Sequence, residues 1–120
     1  MKQKLILSTA QFENKSGDKN YNLAVIEKLT QKAAADGSKI VAFHECSITG
    51  YTFAKRLSNK ELLDVAELIP ESESIRKLTQ IAAKFDVAIL AGLFEKDRDE
   101  KVYNTYVCVD KNGMIAKYRK

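Results

Sequence analysis

Ile40-Val41-Ala42-Phe43-His44-Glu45-Cys46-Ser47-Ile48-Thr49-Gly50-Tyr51 is the stretch on which the fold turns. Four apolar residues in a row, Ile40 to Phe43, predict a short buried strand, and that strand delivers a histidine, a glutamate and a cysteine directly into a loop. Thr49, Gly50 and Tyr51 then turn the chain, glycine supplying backbone angles that other residues avoid. Side chains alternate along a strand, so a pleat that persisted past Phe43 would put Glu45 on the face of Val41 and Phe43, and His44 on that of Ala42.

Working outward, the residues before this stretch predict a strand at Leu5 to Ala10 and a polar loop over Gln11 to Asn20. Asp18 or Asn20 could cap an amphipathic helix over Tyr21 to Ala35, where Leu23, Ile26, Leu29 and Ala33 recur at helical spacing and Gly37 follows as a left-handed stop. Strand, helix, strand in that order predicts a parallel, right-handed crossover, and hence an α/β fold. On the other side, Ser58 and Glu61 match the S-x-x-E capping box ahead of Leu62, Leu63, Val65 and Ala66, a short helix stopping before Pro70. Ser72 or Ser74 starts a further helix with Ile75, Leu78, Ala82 and Phe85 on one face, and Asp86 ends it.

Val87 to Ala91 is a continuous apolar run, the pattern of a strand buried on both faces. Glu95 to Lys101 is almost wholly charged and reads as an exposed hairpin tip, not as a site. Val102 to Val109 is a strand, Asp110 to Gly113 holds an Asn-Gly turn, and Met114 to Lys120 returns as its hairpin partner. In that last strand Tyr118 shares a face with Lys120, and Lys117 with Arg119.

The whole chain has 120 residues, room for a single domain burying roughly two thirds of its unfolded surface. Its 20 basic and 16 acidic residues are interspersed, so the net charge of +4 forms no stripe for nucleic acid. Leu5 to Leu7 is too short an apolar run for a secretory signal, and no stretch approaches transmembrane length. Cys46 and Cys108 lack metal-ligand spacing and make no disulfide framework, which fits a reducing, cytoplasmic setting without cofactor or metal.

Open α/β sheets bind ligands at the carboxyl ends of their strands, where Glu45 stands. From position alone Glu45 is either an acid-base group or a carboxylate that caps a turn or forms a structural ion pair. His44, the sole histidine, lacks a second ligand or a serine partner and reads as a packing or hydrogen-bonding residue; Cys46 and the mid-strand Cys108 read as neighbours, not nucleophiles.

Taken together, AFHECSITGY at Ala42 to Tyr51, the helix before it, AGLFE at Ala91 to Glu95, YNT at Tyr103 to Thr105 and the terminal KYRK resemble the nitrilase (carbon-nitrogen hydrolase) superfamily, in order and across the chain. In that family a strand ends in phenylalanine-proline-glutamate followed by threonine-glycine-tyrosine, and a later strand ends in tyrosine-arginine-lysine. Glu45 and Lys120 occupy the matching positions, and His44 departs from the usual proline. The resemblance implies a four-layer αββα sandwich and a Glu-Lys-Cys triad in which Glu45 is the general base and acid and Lys120 the electrostatic stabiliser.

The family's nucleophilic cysteine lies beyond the lysine, so residues 1–120 are expected to be the N-terminal part of one hydrolase domain, inactive alone. The implied substrate is a small amide, carbamoyl compound or nitrile, with amidase preferred to nitrilase for the breadth of amide-cleaving members. Self-association as a homo-oligomer is implied too. The competing reading is a catalytically inactive α/β module or fragment that binds a partner through an uncovered, apolar sheet face.

Overall fold

A computed structural model describes residues 3–69 and 71–120. Met1 and Lys2 of the basic start, and Pro70 with the helix stop assigned to it, lie outside the described residues. The chain forms, in order, β1 (Leu7–Ala10), α1 (Lys19–Ala35), β2 (Ile40–Phe43), a 3₁₀ turn (Thr52–Arg56), α2 (Asn59–Val65), β3 (Glu67–Leu68), α3 (Glu73–Phe85), β4 (Ala88–Lys96), β5 (Val102–Asp110) and β6 (Gly113–Arg119).

Local chemistry sets most of these boundaries. Asp18 caps α1 by accepting from the Tyr21 amide at 3.0 Å, Ser58 and Glu61 complete both arms of the expected capping box, and Ser72 caps α3. Asp86 closes α3 in the left-handed conformation at φ 52°. Some boundaries differ from expectation. β1 begins at Leu7, Leu5 and Ile6 being exposed. α2 ends at Val65, and the next residues add an unforeseen two-residue strand, β3, beside the far end of β4. Glu67 in β3 then anchors the start of α3, accepting from the Ser74 amide at 2.9 Å and the Ser72 hydroxyl at 2.6 Å.

The strands form one sheet in the order β1-β2-β4-β5-β6. β1, β2 and β4 run parallel, as the crossover pattern predicts, and β5 and β6 add antiparallel hairpins. Leu23 and Ile26 of α1 and Ile75, Leu78, Ile81 and Ala82 of α3 pack on one face, against Val41, Phe43, Ile89, Ala91, Leu93, Val107 and Val109. Burying each of the valine, leucine, isoleucine and phenylalanine side chains among them stabilises the fold by about 1.5–3 kcal/mol.

Among the described residues the opposite face is covered only at one end, where Cys46, Ala66 and Phe94 are buried and Phe53 of the 3₁₀ turn and Leu62 and Val65 of α2 pack against them. Elsewhere on that face Ala42, Leu90, Tyr106 and Cys108 are only half-buried and Leu7 and Tyr118 are exposed, so the Ala88 to Leu90 part of β4 is covered on one side, not on both as its apolar run suggested. The described residues thus form a helical layer on a sheet, two of the four layers that the resemblance implies. No helix among them is long and apolar enough to cross a membrane.

Candidate active site

β2 stops at Phe43 and residues 45–49 turn tightly. Ser47 N donates to His44 O at 3.2 Å, Gly50 N to Cys46 O at 2.8 Å, and Cys46 takes a left-handed φ of 52°. The turn is pinned from three sides: the Asn22 side chain of α1 donates to Ile48 O, Gly17 N donates to Thr49 O, and Ile48 N donates to Gly92 O, with lengths of 2.8, 2.8 and 2.9 Å. Gly92 is indispensable to this crossing, since a β-carbon there would stand 2.3 Å from Cys46 N.

Because the pleat ends at Phe43, Glu45 does not continue the face of Val41 and Phe43. It reaches the open face, where Asn104 and Tyr106 of β5 and Tyr118 of β6 project in the same phase. There Glu45 Oε1 accepts from Lys120 Nζ at 2.8 Å and from Asn104 Nδ2 at 2.7 Å. Lys120, which shares its face with Tyr118 as alternation predicts, is held by its own amide donating to Asn104 O at 2.8 Å. The two candidate residues, 75 positions apart in sequence, form a direct ion pair.

The pair is accessible, with 43% of the Glu45 side chain and 68% of that of Lys120 exposed. The Lys120 and Asn104 hydrogen bonds hold the Glu45 carboxyl below its ordinary range, and Glu45 in turn raises Lys120. At neutral pH the arrangement is therefore a carboxylate able to accept a proton beside a cation able to stabilise negative charge. Both line a cavity of about 220 Å³ with Asn104, Tyr106 and Tyr118. Tyr106 also walls a neighbouring cleft of about 560 Å³ lined by Thr9, Gln11, Ala42 and His44, and its hydroxyl donates to Phe43 O at 2.5 Å.

The remaining candidates separate cleanly. Cys46 is fully buried; desolvation, then the Glu45 charge, pushes its thiol up to about 11, and its Sγ donates to Asn104 Oδ1 at 3.3 Å. Cys108 sits half-buried in the middle of β5, its thiol likewise raised by burial. His44 packs edge-on against Phe12 at 5.1 Å, with Nε2 3.4 Å from Asn14 Nδ2 and Nδ1 buried without a partner, and burial lowers its pKa. Among the described residues no cluster of three or more histidine, cysteine or acidic side chains is arranged to hold a metal.

Glu95 corrects the sequence reading. It is not in an exposed tip but inside β4, which extends to Lys96, and it is 1% exposed. Its carboxylate accepts from Thr105 Oγ1 at 2.8 Å, from Arg119 Nε and Nη2 at 2.9 and 3.0 Å, and from Lys117 Nζ at 2.5 Å. Burial pushes its pKa up, but the Arg119, Lys117 and Thr105 hydrogen bonds outweigh that and bring it to about 2. Arg119 also stacks over Tyr103, its guanidinium carbon 4.1 Å from the ring centre. With Lys117 and Arg119 fixed to the helical side, alternation leaves Tyr118 and Lys120 on the open side. Two signals could have found Glu95: its phase, two and four residues beyond the buried Leu93 and Ala91, and the matching pair of cations in β6.

Comparison with known proteins bears on the family and the fold. The carbon-nitrogen hydrolase family profile matches residues 6–120. The chain is 42% identical over 103 residues to a nitrilase of Pyrococcus abyssi, covering 86% of this chain and 37% of that protein. It is 31% identical over 106 residues to the omega-amidase NIT2 of Homo sapiens, covering 88% and 36%. A crystal structure of an N-terminal amidase superposes with a TM-score of 0.77 at 25% identity, covering 93% of this chain and 27% of that one. The chain thus spans roughly a third of the length of the curated relatives it matches.

Proposed function

Because the chain belongs to the carbon-nitrogen hydrolase family, we propose that it supplies Glu45 and Lys120 to a Glu-Lys-Cys triad that cleaves a non-peptide C–N bond in a small amide, carbamoyl compound or nitrile. The observation that carries this is the ion pair itself, Glu45 Oε1 to Lys120 Nζ at 2.8 Å, lining a cavity on the open part of the sheet face. An amide is preferred to a nitrile, since two of the three relatives described above bear amidase names.

In the proposed reaction, Glu45 takes the proton of a cysteine thiol and the thiolate sulfur bonds to the substrate carbonyl carbon. Lys120 stabilises the negative charge that develops on the carbonyl oxygen. Glu45 returns the proton to nitrogen as the C–N bond breaks, leaving a thioester and a free amine. Water, deprotonated by Glu45, then attacks the thioester, and the acid and the thiol are released.

The nucleophile of this scheme belongs to sequence beyond residue 120. The proposal includes that the 120 residues alone do not form the acyl-enzyme, and it is supported by Cys46 being buried with its thiol donating to Asn104 and by Cys108 lying mid-strand. The same proposal includes a reducing, cytoplasmic setting, consistent with both thiols being unpaired, and self-association of the complete protein. The uncovered face is what favours the second reading, an inactive partner-binding module.

The test is thioester trapping. The polypeptide continued past Lys120 is incubated with a panel of amides and examined by mass spectrometry. An acyl adduct on a cysteine outside residues 1–120, absent in a folded Glu45→Gln variant, is the expected result. Full turnover by Glu45→Gln, or an adduct on Cys46, overturns the assignment.

A further inference from the structure

Asn104 is the point at which the separate parts of this site meet. Its Nδ2 donates to Glu45 Oε1 at 2.7 Å, its Oδ1 accepts from Cys46 Sγ at 3.3 Å, and its backbone carbonyl accepts from the Lys120 amide at 2.8 Å. One residue of β5 thus touches the candidate base, its sequence neighbour and the backbone of the candidate cation. The amide can be oriented in only one way: turned over, it would set its oxygen against the Glu45 carboxylate and its NH₂ group against the thiol. A protonated Cys46 thiol therefore orients the amide, and the amide orients the carboxylate.

Its effect on the carboxylate is asymmetric. Oε1 of Glu45 accepts from both Lys120 and Asn104, whereas no hydrogen-bond donor among the described residues reaches Oε2. An oxygen that already accepts two strong donors is the poorer proton acceptor, so protons are gained and lost at the other. We infer that Asn104 is a positioning residue that fixes the Glu45 carboxylate with Oε1 bound and Oε2 free, making Oε2 the oxygen that takes and returns the catalytic proton. This rests on the assignment of Glu45 as the base. It also gives Cys46 a purpose other than nucleophilic attack, as the donor that locks the Asn104 amide.

An asparagine suits the task because it is neutral at every working pH and presents a donor and an acceptor a fixed distance apart. Aspartate would place a second carboxylate against Glu45, and alanine would leave Oε1 to Lys120 alone.

The experiment follows the Glu45 carboxyl by carbon-13 NMR titration in the 120-residue chain, with Asn104→Ala, Asn104→Asp and Cys46→Ala compared with the parent. The expected result is an upward shift of the Glu45 midpoint in Asn104→Ala, a larger one in Asn104→Asp and a smaller one in Cys46→Ala, each with backbone amide dispersion retained. In the continued, catalytically competent polypeptide, the acid limb of kcat/KM should rise in Asn104→Ala by the same amount as the NMR midpoint. A purely structural role would lower activity without moving either. A folded Asn104→Ala chain whose Glu45 midpoint stays at the parent value overturns the inference, even if Glu45 proves essential. Conversely, a shifted midpoint together with full turnover by Glu45→Gln overturns the assignment of the base while leaving Asn104 as the residue that holds the carboxylate.

Discussion

Replacing Glu95 with glutamine tests whether a buried charge on one face of the sheet holds the terminal strand that presents Lys120 on the other. Glutamine keeps the shape and an acceptor for Thr105 but removes the negative charge shared by Lys117 and Arg119. The carboxyl falls from an ordinary 4.5 to about 2 in the folded chain. At about 1.4 kcal/mol for each tenfold change in proton affinity, that corresponds to about 3 kcal/mol of stability. The value sits at the lower edge of what breaking a buried ion pair costs, about 3–5 kcal/mol, as expected when both cations are partly exposed and can turn to water.

The sign follows from the depressed pKa. The contribution is fully present above the unfolded value of 4.5 and is lost as pH falls from there through about 2. Urea unfolding followed by circular dichroism should therefore find Glu95→Gln about 3 kcal/mol less stable at pH 7, with the gap closing between pH 4.5 and 2. The gap is the informative quantity, because Glu45, Glu67 and Asp97 also have lowered pKa values and titrate in both proteins. A deficit below about 1 kcal/mol at pH 7, or one that persists unchanged to pH 2, would refute the reasoning by tracing the effect to packing and not to charge.

Gly92→Ala should be costly although its backbone angles are unexceptional, because the new β-carbon meets Cys46 N at 2.3 Å and the Glu45 carbonyl carbon at 3.2 Å, neither of which can yield without moving the turn. A loss of about 1–3 kcal/mol in thermal unfolding is expected, with Glu45 titrating closer to an ordinary carboxylate; an unchanged titration would count against the turn being seated on Gly92. Cys46 should resist iodoacetamide in the native chain at pH 7.5 and react once unfolded in urea, since it is buried with its thiol pushed up to about 11. Rapid native labelling at Cys46, located by peptide mass spectrometry, would contradict that placement.

Much of this fold was legible because its signals are local. Ser58 with Glu61, Ser72, Asp18 and Gly37 mark helix ends through hydrogen bonds and backbone angles that involve only a few neighbouring residues. The strand at Ile40 to Phe43 and the hairpin across Asp110 to Gly113 follow from apolar runs and a two-residue turn of the same kind. Where signals were non-local the reading fell short. Whether β4 stops at Ala91 or runs to Lys96 depends on β5 and β3 pairing with its far end, which a charged sequence does not advertise.

By itself, the sequence determined the order of the helices and main strands and the parallel start of the sheet, and its motifs singled out Glu45 and Lys120 as candidates. Tertiary structure alone decided which face each residue serves. Alternation put Lys120 with Tyr118 correctly, because β6 keeps its pleat to the end. It misplaced Glu45, because the chain leaves the strand at Phe43 and Cys46 adopts a positive φ, after which the period of two no longer applies. It could not supply Asn104 or Glu95 with partners, since those come from strands and loops far along the chain, brought close by sheet register. Backbone periodicity carries information only as far as the regular element extends; beyond it, the position of a side chain is set by whatever the rest of the fold packs against it.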